Sequence, residues 1–341
     1  VSQHDRATPE ETEAAIRAAR EAFDHGPWPR MAAAERGAIL RRVAAMMRER
    51  CDALAKLITW ETGKPIGQAR GEIRSTADLF DHVSHLALEV HGESYAVSGT
   101  YDAVVAREPV GVVAAIVPWN FPIMMLAFKI APALAVGCTM VCKPAELTNS
   151  IVAEVCRQAG RPDGVLNMVS GRGTVVGTVL TESPLVDKVT FTGSTAVGRG
   201  VMAGASGSLK HVSLELGGKS PNIVFSDAAQ MDDAVDAACC NVFFNQGAVC
   251  DGGTRLLLQR SIHDEFLEKL VAKTKKLTVG DPMTDVHLGA IISEEQCRTI
   301  LDYIETGKRE ARLVVGGHRL TGGIYDRGYY IEPTIFDVVG R

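Results

Sequence analysis

No run of this 341-residue sequence is apolar for long enough to cross a bilayer: the longest such stretch, Ile123 to Cys142, is interrupted by Lys129, Pro132 and Gly137. There is no basic block to follow a nucleic-acid backbone and no acidic tail. The 36 Lys and Arg and the 41 Asp and Glu are interspersed, leaving a net charge of −5. Val1 to Glu13 is polar and charged, unlike the apolar core of a secretory signal. Cysteine is sparse, at positions 51, 138, 142, 156, 239, 240, 250 and 297. That is too few for a disulfide framework in so long a chain, so a reducing compartment, the cytoplasm, is expected and most of these thiols read as small buried residues. Cys138 and Cys142 are four apart, with no Cys or His pair nearby to complete a zinc site, and no metal is expected. Internal repeats and low-complexity segments are also missing.

What is present is a hydrophobic content of 46%, enough for a substantial core, in a length that suggests about two domains. Apolar spacing predicts helices over Glu10–Phe23, Ala32–Glu61 (stopped by Gly63 and Pro65) and Gln68–Val90. β-formers around Ser98-Gly99, within residues 93–107, predict a hairpin. From Val110 the pattern alternates strand and helix, beginning with the continuous apolar run Val110–Val117 that suits a strand buried on both faces. Strands at Met140–Cys142, Val165–Val169, Lys188–Phe191 and His211–Leu214 follow, with helices after Pro122 and at Ile151–Gln158, Thr174–Leu180 and Ser194–Ala205. This predicts an α/β fold with a Rossmann-like open parallel sheet. A second alternating series follows Gly217-Gly218: strands Asn222–Phe225, Arg255–Gln259 and Arg312–Val315, with helices Met231–Phe244, Ser261–Leu277 and Glu294–Gly307. The expected domains are 1–214 and 215–341.

Several segments carry candidate chemistry, each with a plainer alternative. Gly171-Arg-Gly173-Thr-Val-Val-Gly177 follows a strand and precedes a helix, as a dinucleotide-binding turn does, though a tight turn alone explains it. Phe191-Thr-Gly-Ser194 repeats the arrangement, with Ser194 an N-cap in either case. Lys143-Pro-Ala-Glu146 lies where a sheet's carboxyl edge should be, within reach of a ribose, or is a solvated turn. Asn120, fixed between Pro118 and Pro122, offers a rigid amide suited to an oxyanion hole, or else satisfies local carbonyls. Glu215, before Gly217-Gly218, is a general-base candidate or a strand-end charge paired with Lys219. Cys250 lies in Phe244-Asn-Gln-Gly-Ala-Val-Cys250-Asp-Gly-Gly, a loop between helix and strand where a thiol can be a nucleophile or inert.

These motifs, in this order, resemble the aldehyde dehydrogenase superfamily from about Pro9 to Phe336. The resemblance implies that Cys250 is the nucleophile, Glu215 the general base and Asn120 the oxyanion-stabilising amide, with Lys129 a lysine close to the active site. It implies a cofactor set of Ile116, Pro118, Trp119, Lys143, Glu146, Gly173, Gly177, Phe191, Ser194, Val197 and Gly217. The hairpin within 93–107 matches the family's oligomerisation arm and implies a homodimer or homotetramer in the full-length protein.

The implied reaction is NAD-dependent oxidation of an aldehyde to a carboxylic acid through a cysteine thioester. Glu146 near the ribose favours NAD over NADP, because a carboxylate repels a 2′-phosphate. Phe121, Met125 and Phe128 on one helical face, with Phe244 and Val249 beside the thiol, are the expected pocket; core packing explains the same residues. Three departures stand out. Ala248 replaces a frequent glutamine, and the chain is expected to lack the family's first strands and its carboxyl-terminal part, including a Glu-x-Phe segment. Two other readings follow: a non-catalytic binding or structural module, and a CoA-acylating dehydrogenase, which the presence of Glu215 disfavours.

Overall fold

The amino-terminal helices of the computed structural model, which describes residues 5–99, 101–145 and 151–338, are α1 (Pro9–Asp24), α2 (Ala33–Glu49), α3 (Cys51–Thr62) and α4 (Ile66–Leu86). A capping box starts α1: Thr8 Oγ1 accepts from the Glu11 amide at 3.2 Å, and the Thr8 amide donates to Glu11 Oε2 at 2.8 Å. The single helix expected over Ala32–Glu61 is two, because the backbone leaves helical geometry at Arg50 (φ −97°, ψ 16°) and restarts at Cys51. Helix α3 stops before Gly63, whose φ of +77° favours glycine. The hairpin forms where expected, from β1 (Glu93–Ser98) and antiparallel β2 (Tyr101–Val105), with every β2 side chain exposed.

Two compact units result. The first comprises Val1–Leu54 and Gly71–Leu216, the second Ala55–Arg70 and Gly217–Arg341. The first is built on β3 (Val112–Ile116), α5 (Pro122–Ala135), β4 (Thr139–Lys143), α6 (Ile151–Gln158), β5 (Leu166–Met168), α7 (Thr178–Glu182), β6 (Lys188–Gly193), α8 (Thr195–Ala205) and β7 (His211–Leu216). Its five strands are all parallel, in the order β5-β4-β3-β6-β7. Strands β3 and β4 are buried at every position, as their unbroken apolar runs require of a sheet covered on both faces. Ile16 and Ala19 of α1 pack with Val112, Ala114, Val141, Leu180 and Val189 in one core; each large member contributes about 1.5–3 kcal/mol of burial. The helix expected over Thr174–Leu180 begins instead as a wide π-type turn, Gly173–Gly177, and becomes α-helical only at Thr178.

The second unit contains β8 (Pro221–Val224), α9 (Met231–Phe243), β9 (Arg255–Leu258), α10 (His263–Thr274), α11 (Glu294–Glu310), β10 (Arg312–Val315), β11 (Arg319–Leu320), β12 (Tyr330–Ile331) and β13 (Ile335–Asp337). Strands β8 and β9 pair in parallel, whereas β10 with β13 and β11 with β12 pair antiparallel. Phe266, fully buried, centres a core with Val224, Val235, Cys239 and Leu270. Residues 55–70 join this unit through close approach: the Ile66 amide donates to Pro282 O at 2.8 Å. A Cβ at Gly63 would lie 2.1 Å from Ala290 O. The architecture is thus α/β, a Rossmann-like parallel sheet plus a second α/β unit and a hairpin. Among the described residues no helix is long and apolar enough to cross a membrane, and no cluster of three His, Cys, Asp or Glu side chains could hold a metal ion.

Candidate active site

The strand order of the first unit reverses between β3 and β6: the chain builds outward through β4 and β5, then returns to β6 on the other side of β3. Ligands of open α/β sheets bind outside the carboxyl ends of the strands at such a switch point. Register brings the expected residues to that edge. Ile116 at the end of β3 is level with Lys143 of β4 and Phe191 of β6, and Thr192 is level with Glu215 of β7. Pro118, Trp119 and Asn120 follow β3 directly and are half-buried. Lys143 is buried, its Nζ donating to Pro144 O at 3.1 Å. Glu146 lies outside the described residues.

A dinucleotide fits this edge. A Cβ on Gly173 would meet no atom within 4 Å, and one on Gly177 only Ile116 Cδ1 at 3.9 Å, so the turn leaves backbone open to a ligand. Ser194 caps α8, its Oγ accepting from the Val197 amide at 3.3 Å, while the Val197 side chain stays exposed in the first helical turn. The remaining amides of that terminus carry the partial positive charge that suits a phosphate.

Lys129, on α5, is buried and its Nζ donates to Thr190 Oγ1 at 2.9 Å. Burial pulls its pKa down to about 8, while the negative charge of Glu215 works in the opposite direction. Glu215 itself is exposed at the sheet edge. Phe121, Met125 and Phe128 follow one face of the α5 region and run from buried to half-buried to exposed. The α5 amino terminus has no capping side chain of its own; the Ile123 and Met124 amides both donate to Glu72 Oε1 at 3.2 Å. Glu72 is buried, and sequence reasoning missed it. The signal was Pro122 opening a helix without a Ser, Thr, Asp or Asn before it.

In the second unit Cys250 is exposed on the loop between α9 and β9. Its thiol points to Asp251 Oδ1 at 4.0 Å. Cys239 is buried in α9, whereas Cys240 is exposed on it. Just before Cys250, Asn245 (φ 51°), Gln246 (φ 53°) and Gly247 (φ 77°) form a left-handed turn. Left-handed geometry costs about 1–2 kcal/mol at a non-glycine residue, somewhat less for Asn. The turn is held nonetheless: the buried Asn245 donates from Nδ2 to Ala248 O at 3.2 Å, its amide donates to Gln68 Oε1 at 2.8 Å, and Gln246 Nε2 donates to Ala290 O at 3.1 Å. At the far end the Gly253 amide donates to Asn241 Oδ1 at 2.7 Å. Phe244 is exposed and Val249, next to Cys250 in the chain, is half-buried, and a Cβ on Gly217 would meet open space.

The profile of the aldehyde dehydrogenase family matches residues 1–341. The chain belongs to the aldehyde dehydrogenase family. It is 45% identical over 334 residues to aldehyde dehydrogenase family 2 member C4 of Arabidopsis thaliana, covering 96% of this chain and 66% of that protein. It is similar to the solved NAD-dependent aldehyde dehydrogenase of Sinorhizobium meliloti, with a TM-score of 0.94 at 42% identity, over 97% of this chain and 66% of that one. It is also similar to the betaine aldehyde dehydrogenase of Staphylococcus aureus solved with NAD+, with a TM-score of 0.94 at 37% identity, over 97% of this chain and 67% of that one. The chain thus spans about two thirds of the length of the curated relatives it matches. The aldehyde dehydrogenase fold expected from the motifs is the fold observed.

Proposed function

We propose that this protein oxidises an aldehyde to a carboxylic acid, with NAD as hydride acceptor, through a covalent cysteine intermediate. The supporting observation is the row of Ile116, Lys143, Phe191 and Glu215 along one carboxyl edge at the switch point, in a family member that also carries Cys250 on a loop held in strained geometry. Ile116, Pro118, Trp119 and Phe191 give the dinucleotide an apolar bed. Gly173, Gly177, Ser194 and Val197 border its phosphates, with Lys143 at a ribose and Gly217 leaving room beside Glu215; the resemblance to the family gives Glu146 a ribose-binding role. A carboxylate at Glu146 disfavours a 2′-phosphate, hence NAD before NADP; equal kcat/KM with NADP would overturn that preference.

Cys250 Sγ attacks the carbonyl carbon as thiolate, forming a C–S bond and moving the π pair to oxygen. The Cys250 N–H suits a donor to that oxyanion, and the resemblance to the family gives Asn120 the role of an oxyanion-stabilising amide. NAD, when bound, supplies the acceptor for the hydride that leaves this carbon as the carbonyl re-forms in a thioester. Glu215 takes a proton from water, the water oxygen attacks the thioester carbon, and Cys250 departs as thiolate. The negative charge of Glu215 works against the burial that lowers the Lys129 pKa. Phe121, Met125, Phe128, Phe244 and Val249 suit an aliphatic or aromatic aldehyde, and the hydrolytic base Glu215 favours this reaction over CoA acylation.

Replacing Cys250 by Ser is expected to abolish NADH formation while NAD still binds, and retained oxidation would remove Cys250 from the role. Glu215→Gln is expected to leave a hydride burst with slow turnover; an unchanged steady state would remove Glu215. The exposed Tyr95, Val97, Tyr101 and Val104 of the hairpin support self-association as a homodimer or homotetramer. The free thiols suit the reducing cytoplasm.

A further inference from the structure

We propose that Gln68 is a positioning residue for the nucleophile: its side-chain amide clamps the left-handed turn at residues 245–247 that presents Cys250. The proposal rests on the reading of Cys250 as nucleophile. Gln68 lies in the first turn of α4 and belongs to the same unit as the loop. Both ends of its amide are used. Oε1 accepts from the Asn245 amide at 2.8 Å, and Nε2 donates to His287 O at 2.9 Å.

The clamp has a fixed base. The Ile66 amide is bonded to Pro282 O at 2.8 Å, and Gly63 approaches Ala290 so closely that no side chain fits between them. Gln246 reaches the same 287–290 segment from the loop side, its Nε2 donating to Ala290 O at 3.1 Å. Gln246 Oε1 is buried and finds no hydrogen-bond partner among the described residues, a further cost that the turn carries.

Two consecutive non-glycine residues in left-handed geometry persist only where their surroundings over-determine them. Asn245 is buried, so an amide deprived of Gln68 Oε1 would lack that partner in a dry site. The turn would then relax toward right-handed conformers. Cys250 begins three residues beyond the turn, so its thiol would be presented correctly in only a fraction of the population. Apparent reactivity falls by that fraction.

Amide exchange and thiol alkylation in the full chain test this. In Gln68→Ala, exchange across residues 244–250 is expected to rise about tenfold or more while the body of α9 keeps its protection. Alkylation of Cys250 by iodoacetamide, read by peptide mass spectrometry relative to exposed Cys240, is expected to fall about threefold or more. Gln68→Glu keeps an acceptor for the Asn245 amide and is expected to restore both readings to within about twofold of the unsubstituted protein.

Unchanged exchange in Gln68→Ala overturns the clamp. So does an open loop with an unchanged Cys250 to Cys240 ratio, because Gln68 would then hold backbone without positioning the thiol. Buried Cys239 and Cys297 report loss of fold. If they become alkylated in Gln68→Ala, the Glu variant decides: a protected loop supports the clamp, and an open one overturns it. Failure of the nucleophile reading shows separately, as aldehyde oxidation retained in Cys250→Ser.

Discussion

The two units solve the problem of burying strands differently. In the first, β3 and β4 lie inside a five-stranded sheet and every residue of both is buried. In the second, the strands come in pairs, and β8 and β9 alternate exposed with half-buried side chains, only Val224 being fully buried, which leaves Ile223 and Leu257 in register on the exposed face. The consequence is a division of labour. A sheet covered on both faces fixes a rigid edge, and the first unit lines up its residues there by strand register alone. The second unit has no such edge for Cys250. It positions the thiol by a strained turn and side-chain clamps instead, so its geometry depends on individual hydrogen bonds.

The largest test of that contrast is Gly111→Ala. Gly111 has φ +120°, and an added Cβ would lie 1.9 Å from Asp187 Oδ2. That carboxylate accepts from the Val112 amide at 2.7 Å and pairs with Arg20, fastening the start of β3 to α1. Strain and overpacking together are expected to cost about 5 kcal/mol. Denaturant melts read the total, and hydrogen exchange should show the loss first in β3 and β6. The counterpart in the second unit is Phe266→Ala, expected to cost about 4 kcal/mol for the cavity left among Val235, Cys239 and Leu270. A loss below about 1 kcal/mol would mean that the paired strands collapse into the space, and that this core is looser than the first.

What the sequence revealed follows the same line. The parallel sheet was legible because Val112–Ile116 and Thr139–Lys143 are buried runs whose composition admits little else, and the hairpin because its turn signal is local. The break at Arg50 was not, since neither Arg50 nor Cys51 is a breaker and the surrounding apolar spacing continues. Strands β11 and β12 are two residues each and β13 three, too short for any period to show. At the site, Asn120, Lys143 and Glu215 could be picked out because they adjoin prolines, glycines and strand ends. Gln68 and Glu72 could not. Their partners lie 177 and 51 residues away, and a hydrogen bond to a distant backbone amide leaves no local pattern.

A smaller effect separates charge from packing in the first unit. Burial holds the Lys129 pKa near 8, below the ordinary value of 10.5 that it regains on unfolding. Between those values the unfolded chain binds more protons than the folded one, so stability rises with pH across about 8 to 10.5. Below pH 8 the buried cation carries its full cost, on the order of 3 kcal/mol. Lys129→Met should therefore remove this rise, and the difference in unfolding free energy between the two proteins should shift in the variant's disfavour as pH climbs from 8 to 10.5. A parallel pair of pH profiles would show that Lys129 reaches water.

The smallest effect belongs to the second unit, where charges clasp rather than bury. Protonated His263 donates from both ring nitrogens, to Asp264 Oδ1 at 2.8 Å and Asp337 Oδ1 at 3.2 Å, and Arg312 donates to the other Asp337 oxygen at 2.6 Å. Hydrogen bonds to Asp264 and then Asp337 raise the His263 pKa above 6.5; the Arg312 bond, then His263, lowers that of Asp337. The signs are opposite. A raised His contributes stability that is complete below its unfolded pKa and lost as pH rises through its folded value. A lowered Asp contributes stability present above its unfolded pKa and lost as pH falls through its folded one. The clasp joining α10, β10 and β13 is therefore strongest in mildly acidic solution, above the Asp337 range and below that of His263. His263→Gln should lower Tm most in that window and least in alkaline solution, by a margin that salt reduces because the ring is partly solvated. A Tm difference that grows with pH would mean that His263 holds the three elements as a neutral hydrogen-bonding ring, and that packing rather than charge secures this unit as it does the first.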